Sequence, residues 1–310
     1  TAPSVAVSAT SGTLTCATTS ITLTASGADS YSWSGGGTGT SKTITTANTY
    51  TVTGTSSSNG CTATASSVIG SNTTAPTAGI TNNTGSTELT CARTAISVTA
   101  TGGTAYSWSD GSGVVGTSAG LSITAAGTYT VTATGSNGCT STAFITVTSN
   151  TTAPSVGVTP TSGTLTCATT SISLTASGAS TYSWNVGGTG SSKSATTAGT
   201  YTVTGTAANG CTASASASIS NNTTAPTAGI TNNTGSTELT CTRTAISVTA
   251  TGGTSYSWSD GTTVVGTSED LTITTAGTYT VTVIGSNGCA TTSDIIITSN
   301  ITTPSVNITP

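Results

Sequence analysis

Ala126-Gly127-Thr128-Tyr129-Thr130-Val131-Thr132-Ala133-Thr134-Gly135-Ser136-Asn137-Gly138-Cys139 decides the fold. Tyr129, Val131 and Ala133 alternate with Thr128, Thr130 and Thr132, the period of a strand with one buried face. Asn137 and Gly138 both tolerate positive φ, so the pair predicts a tight hairpin. Cys139 then opens a last strand that runs through Ile145 and Val147. Outward from this segment the same alternation holds. Ile96, Val98 and Ala100 alternate with Ser97 and Thr99, Tyr106 and Trp108 share a face, and Leu121 and Ile123 follow a Gly-rich turn. No stretch has helical periodicity. About seven short strands with regular turn signals predict an antiparallel β-sandwich.

The pattern repeats along the chain. Asn-Gly-Cys recurs at residues 59–61, 209–211 and 287–289, and Thr-Ala-Pro at 1–3, 74–76, 152–154 and 224–226, with Thr-Thr-Pro at 302–304. Repetition at this period predicts a modular array. The expected boundaries are 1–73, 74–151, 152–223 and 224–301 for four repeats, with 302–310 as the first strand of a fifth. Residues 76–110 and 226–260 differ at only two of 35 positions, Ala92/Thr242 and Ala105/Ser255. The duplicated unit is therefore a doublet, which suits a protein that must be long better than it suits an active site.

A domain of this size buries a small core and usually needs a covalent staple. Each repeat carries two cysteines: Cys16 and Cys61, Cys91 and Cys139, Cys167 and Cys211, Cys241 and Cys289. Repeat symmetry favours one disulfide inside each repeat, worth about 4 kcal/mol on the chain-entropy model. A neighbour-to-neighbour link such as Cys61 to Cys91 is the alternative. Paired cysteines at every repeat imply an oxidising, extracellular setting.

Charge is nearly absent, with 4 Lys/Arg and 8 Asp/Glu in 310 residues. No basic face exists to neutralise phosphates, which argues against nucleic acid as a partner. Over a quarter of the residues are Thr, which favours strands and leaves a hydroxylated surface. No apolar run is long enough to span a membrane. The chain contains no Met and opens on no signal-peptide pattern, so an interior window of a longer processed polypeptide is expected.

Each repeat holds one Trp (Trp33, Trp108, Trp184, Trp258) and a Tyr in the Gly-Thr-Tyr-like segment (Tyr50, Tyr129, Tyr201, Tyr279). The Trp is expected in the core against the disulfide and the facing sheet, and the Tyr as a corner whose hydroxyl ties one loop to another. A sugar-stacking platform on Tyr-x-Trp is the competing reading.

Tyr-x-Trp-Ser, Ala-Gly-Thr-Tyr-Thr-Val-Thr, Asn-Gly-Cys and Leu-Thr-Cys together resemble the immunoglobulin-like and polycystic-kidney-disease-like repeats of large secreted bacterial surface proteins. Among these, the combination is similar to arrays in Bacteroidetes-type adhesins, including gliding-motility adhesins. The resemblance covers the whole chain, four times over. It departs from that pattern in the turn after Trp, where only Trp108-Ser109-Asp110-Gly111 and Trp258-Ser259-Asp260-Gly261 approach the usual acidic form. The resemblance implies a tandem array of immunoglobulin-like sandwiches in an extracellular, cell-surface spacer or adhesive array, exported by a type IX-like system.

Catalytic chemistry has little to work with. The chain has no His, and its many serines lack a base to activate them. Glu269 and Asp270 are adjacent, so in a strand they point to opposite faces. The third repeat contains no Asp or Glu, which excludes a calcium site or an isopeptide bond common to all repeats. An isolated calcium site near Asp260, Glu269 and Asp270 stays open. No cofactor is expected. Sequons stand at Asn72, Asn82, Asn150, Asn221, Asn222, Asn232, Asn300 and Asn307, and glycans on Ser, Thr or Asn would supply solubility that charge does not.

The linkers, such as Ser220-Asn221-Asn222-Thr223-Thr224-Ala225-Pro226, lack a flexible Gly/Ser stretch, which predicts semi-rigid joints. Each module should add about 35–40 Å of length. The expected role is structural and non-enzymatic: the repeat region of an extracellular fibre or adhesin stalk giving reach and stiffness. Its partners are neighbouring repeats of one chain or identical chains in a filament. The alternative is a carbohydrate- or surface-binding module array.

Overall fold

The computed structural model describes residues 1–306. They form two compact units, one ending at Thr152 and the next beginning at Ala153, each built from two sandwiches. The chain is all-β, with four immunoglobulin-like sandwiches and no helix among the described residues.

The first repeat runs through β1 (Ala6–Ser8), β2 (Ser11–Thr15), β3 (Ile21–Ser26), β4 (Ser30–Trp33), β5 (Ser41–Ile44), β6 (Asn48–Thr55) and β7 (Thr62–Asn72). One sheet has the order β1-β3-β5 and the other β2-β7-β6-β4. The second repeat adds β8 (Gly79–Asn82), β9 (Glu88–Thr90), β10 (Ile96–Thr101), β11 (Ala105–Ser109), β12 (Val114–Gly116), β13 (Gly120–Ile123), β14 (Gly127–Thr134) and β15 (Thr140–Asn150). Its sheets have the orders β13-β10-β8 and β12-β11-β14-β15-β9. The extra edge strand β12 follows the acidic Asp110-Gly111 turn that the odd repeats lack. The second unit repeats this pair of topologies.

Period-two alternation fixes which side chains face inward. In β3 it buries Leu23 and Ala25 and exposes Thr22 and Thr24; in β10 it buries Ile96, Val98 and Ala100. Trp108 and Trp258 are wholly enclosed, and Trp33 and Trp184 nearly so. Around each Trp the two sheets contribute aliphatic partners, for example Leu23, Ile44, Val52 and Ile69 around Trp33.

Two local expectations are corrected. The sandwiches are not purely antiparallel: β2 pairs in parallel with the end of β7, Ser11 opposite Val68 and Thr15 opposite Asn72, and β9 does the same with β15. The chain passes from β1 in one sheet to β2 in the other, and its continuing direction makes β2 parallel to the last strand. The Asn-Gly loop is also longer than a two-residue hairpin. Gly138 N–H donates to Gly135 O (2.9 Å) and Gly135 N–H to Cys139 O (2.8 Å), and only Gly138 has positive φ, 74°. Asn137 contributes through its side chain, whose Oδ1 accepts the Cys139 N–H (3.1 Å). Of the expected fifth-repeat segment, residues 302–306 correspond to residues 1–5, which precede β1, and Asn307 and the rest lie outside the described residues.

Candidate functional site, the stapled joints between repeats

β2 and β7 decide where the cysteines stand. Thr15 lies opposite Asn72 at the far end of β7, and Cys16 follows it. Cys61 precedes Thr62 at the near end of the same 11-residue strand. At about 3.3 Å per residue the two cysteines of one repeat are roughly 35 Å apart, at opposite poles of the sandwich. A disulfide tolerates a Cα separation of at most about 7 Å. The expected pairing within a repeat is thus impossible, and so is the alternative Cys61–Cys91, since Cys91 follows the equivalent far-pole strand β9.

The disulfides cross the joints instead. Cys16 of the first repeat bonds Cys139 of the second, with Cα atoms 4.9 Å apart at a sequence separation of 123. Cys167 bonds Cys289 in the same way, at 4.9 Å and 122 residues. Cys91 and Cys211 are disulfide-bonded as well. Cys61 and Cys241 are free and exposed, which corrects the expectation of one staple per repeat. No cysteine belongs to any of the four core clusters, so each Trp packs against aliphatic side chains and not against a disulfide.

Two preformed turns present the sulfurs. On the donor side Thr15 N–H donates to Thr18 O (2.9 Å) and Thr18 N–H to Thr15 Oγ1 (2.9 Å), holding Cys16 at the corner. On the acceptor side the Asn137-Gly138-Cys139 loop closes around the linker. Asn137 Nδ2 donates to Asn72 O (3.1 Å), Asn72 Oδ1 (3.0 Å) and Thr74 O (2.9 Å). Ala17 N–H donates to Asn137 O (3.3 Å) across the joint. Gly138 must lack a side chain, because a Cβ there would stand 2.6 Å from the Ala17 Cβ. Ser141 completes the clamp by accepting the Ala78 N–H (3.0 Å) and donating to Pro76 O. The joint between the third and fourth repeats is built alike, with Asn287 Nδ2 on Asn222 and Thr224 and Gly288 against Ala168.

The aromatic residues serve the sandwiches. Each Trp Nε1–H donates to a loop carbonyl: Trp33 to Gly39 O (2.9 Å), Trp108 to Ser118 O (3.0 Å), Trp184 to Gly190 O (3.1 Å) and Trp258 to Ser268 O (3.1 Å). Tyr50, Tyr129, Tyr201 and Tyr279 each donate to the carbonyl four residues upstream, on Thr46, Ala125, Thr197 and Thr275. With the Trp rings enclosed, Tyr-x-Trp offers no stacking platform. Phe144 is the exposed aromatic, at 73%.

Four of the aspartates accept bonds from nearby amides and hydroxyls. Thr263 and Thr262 amides and the Thr262 hydroxyl converge on Asp260 and pull its carboxyl down to about 2. Asp110 is lowered in the same way, first by the Ser112 hydroxyl and then by the Ser112 and Gly113 amides. Asp29 is lowered by the Ser57 amide and hydroxyl. Asp270 accepts from Thr249 Oγ1 on the neighbouring strand (2.5 Å). Among the described residues no three His, Cys, Asp or Glu side chains gather in a metal-binding group. Among the described residues no helix is long and apolar enough to cross a membrane.

No family model matches the chain, and no curated protein is similar to it. Some solved structures resemble it distantly. The chain is similar to a bacterial ice-binding adhesin of 1.5 MDa, studied for host cell surface retention (15% identity, TM-score 0.39, 74% of this chain and 100% of that one). It is similar to three N-terminal domains of the bacteriophage RB49 outer capsid protein Hoc (14% identity, TM-score 0.30, 97% and 99%). It is also similar to the D1–D4 ectodomain fragment of ICAM-5 (9% identity, TM-score 0.33, 94% and 97%). At such values the likeness carries no argument about this chain, whose fold rests on its own strands and sheets.

Proposed function

We propose that the chain is the structural repeat region of an extracellular fibre or adhesin stalk, held against tension by disulfides placed at its joints. Cys16–Cys139 carries this reading, because it runs from one repeat to the next instead of closing a single sandwich. A peptide linker alone makes each joint a single covalent thread. The added disulfide gives tension a second route past the 123-residue separation between Cys16 and Cys139. The clamp of Asn137 on Asn72 and Thr74 holds the linker in one course, which favours reach over flexibility. Disulfides of this kind form in oxidising compartments, consistent with a location outside the cell. The domain division into four repeats with boundaries near 73, 151 and 223 belongs to this proposal, as do lateral packing of identical chains into a filament and glycans on exposed hydroxyls.

Single-molecule stretching of the chain with and without reductant tests it. Reduction should release both bypassed segments, adding about 400 Å of contour length for each of the 123- and 122-residue separations. Equal contour lengths in both states would show that the disulfides carry no load.

A further inference from the structure

Cys61 and Cys241 are the free thiols of a chain whose other cysteines are all disulfide-bonded. Each stands at a position where its repeat-equivalent is bonded. Cys241 occupies the Leu-Thr-Cys position of Cys91, and Cys61 the Asn-Gly-Cys position of Cys211, both of which are in disulfides. We propose that they are the two complementary halves of one more joint, Cys241 of one copy bonding Cys61 of a second copy. The product is a head-to-tail, disulfide-linked string.

Both halves are already shaped for the bond. Around Cys241, Thr240 N–H donates to Arg243 O (2.9 Å) and Arg243 N–H to Thr240 Oγ1 (3.1 Å). This is the turn that presents Cys16 to its partner. Around Cys61, Asn59 Oδ1 accepts the Cys61 N–H (3.0 Å) and Asn59 Nδ2 donates to Thr1 O (3.0 Å). Those contacts reproduce Asn137 on Cys139 and Thr74. The difference lies in what covers the loop. Gly138 abuts Ala17, whereas a Cβ on Gly60 would meet nothing within 4 Å. Likewise Cys139 is 2% exposed and Cys61 is exposed. Thr242 takes the place of Ala17 and Ala168 beside its sulfur.

Cys61 and Cys241 are different sites, so the contact is heterologous and each linked copy keeps one free half for a further copy. The chemistry is a two-electron oxidation. Each thiol loses a proton, one S–S bond forms, and the two electrons reduce an external disulfide to two thiols by exchange. The proposal concerns the joints alone and does not depend on the stalk reading.

The test is oxidation of the purified 310-residue chain with glutathione disulfide, read by non-reducing electrophoresis and peptide mapping. The expected result is a ladder at multiples of 29.6 kDa with a Cys61–Cys241 peptide as the dominant new cross-link. Equimolar Cys61→Ser and Cys241→Ser variants should stop at a single heterodimer, and each alone should stay monomeric. Both substituted positions are exposed, so the folds are unaffected. Gly60→Ala puts a Cβ on the surface the partner must approach and strains the loop at φ 70°. Linkage should therefore slow several-fold, and by more than alkylation of Cys61 slows. Persistently free thiols overturn the proposal. So do Cys61–Cys61 and Cys241–Cys241 peptides as abundant as the mixed one, or linkage of Gly60→Ala that slows no more than its alkylation.

Discussion

Cys16 bonds Cys139 in the following repeat across a Cα separation of 4.9 Å, although Cys61 is its nearest cysteine in sequence. The parallel pairing of Thr15 with Asn72 is the cause, since it delivers Cys16 to the pole from which the next repeat departs. The staple therefore belongs to the joint.

Removing that staple should cost the pair of repeats most of a long-loop disulfide. For a separation of 123 residues the chain-entropy model gives about 5 kcal/mol, and native disulfides typically contribute 2–5 kcal/mol. The double variant Cys16→Ser/Cys139→Ser should lose stability in that range by denaturant unfolding. Cys61→Ser should stay within about 0.5 kcal/mol of the parent, as expected of an exposed, unbonded thiol whose backbone contacts the change leaves in place.

Asn137 holds the linker without contributing to a sandwich core. Asn137→Ala removes three donations to Asn72 and Thr74 and the acceptor for Cys139 N–H, a loss of about 1–3 kcal/mol for the groups left unpaired. Hydrogen exchange should quicken at Cys139 and at the linker amide of Ala78, while amides of β3 and β10 keep their protection. Uniform loss of protection throughout the first unit would contradict this division.

Asp260 makes its loop sensitive to acid. Its folded-state carboxyl sits near 2, below the ordinary value of 3.8, so its contribution is present above about pH 4 and is lost as pH falls through 2. Amide exchange at Thr262 and Thr263, corrected for intrinsic rates, should accelerate over that window. In Asp260→Ala the acceleration should already be present at neutral pH, with no further step in acid.

Trp108 is fully enclosed and hydrogen-bonded to Ser118 O. Trp108→Ala should destabilise the second repeat by about 3–5 kcal/mol through the cavity it leaves. Phe144→Ala, at an exposed position on β15, should change stability little. Thermal unfolding of both variants separates a core ring from a surface one.

The sandwich was legible because each of its strands carries a simple alternation. Tyr129, Val131 and Ala133 in β14 point inward for the reason their spacing suggests, and the four Trp positions follow the same rule. The cysteine pairing was not legible from repeat symmetry. A bond within each repeat and a bond from each repeat to the next satisfy that symmetry equally. One available signal was topological: an early strand parallel to the last strand places Leu-Thr-Cys and Asn-Gly-Cys at opposite poles. The Asn-Gly loop was misread for a different reason. Propensity for positive φ says what Asn137 tolerates, but its side-chain acceptor is what the loop uses.

The sequence by itself determined the strands, the repeat and the identity of the core, because these rest on periodicity and side-chain volume that act over a few residues. Tertiary structure alone decided which sulfurs meet, since that depends on strand direction and on the stacking of one repeat upon the next. A separation of 123 residues became 4.9 Å through the parallel run of β2 beside β7, a relation that no local pattern encodes.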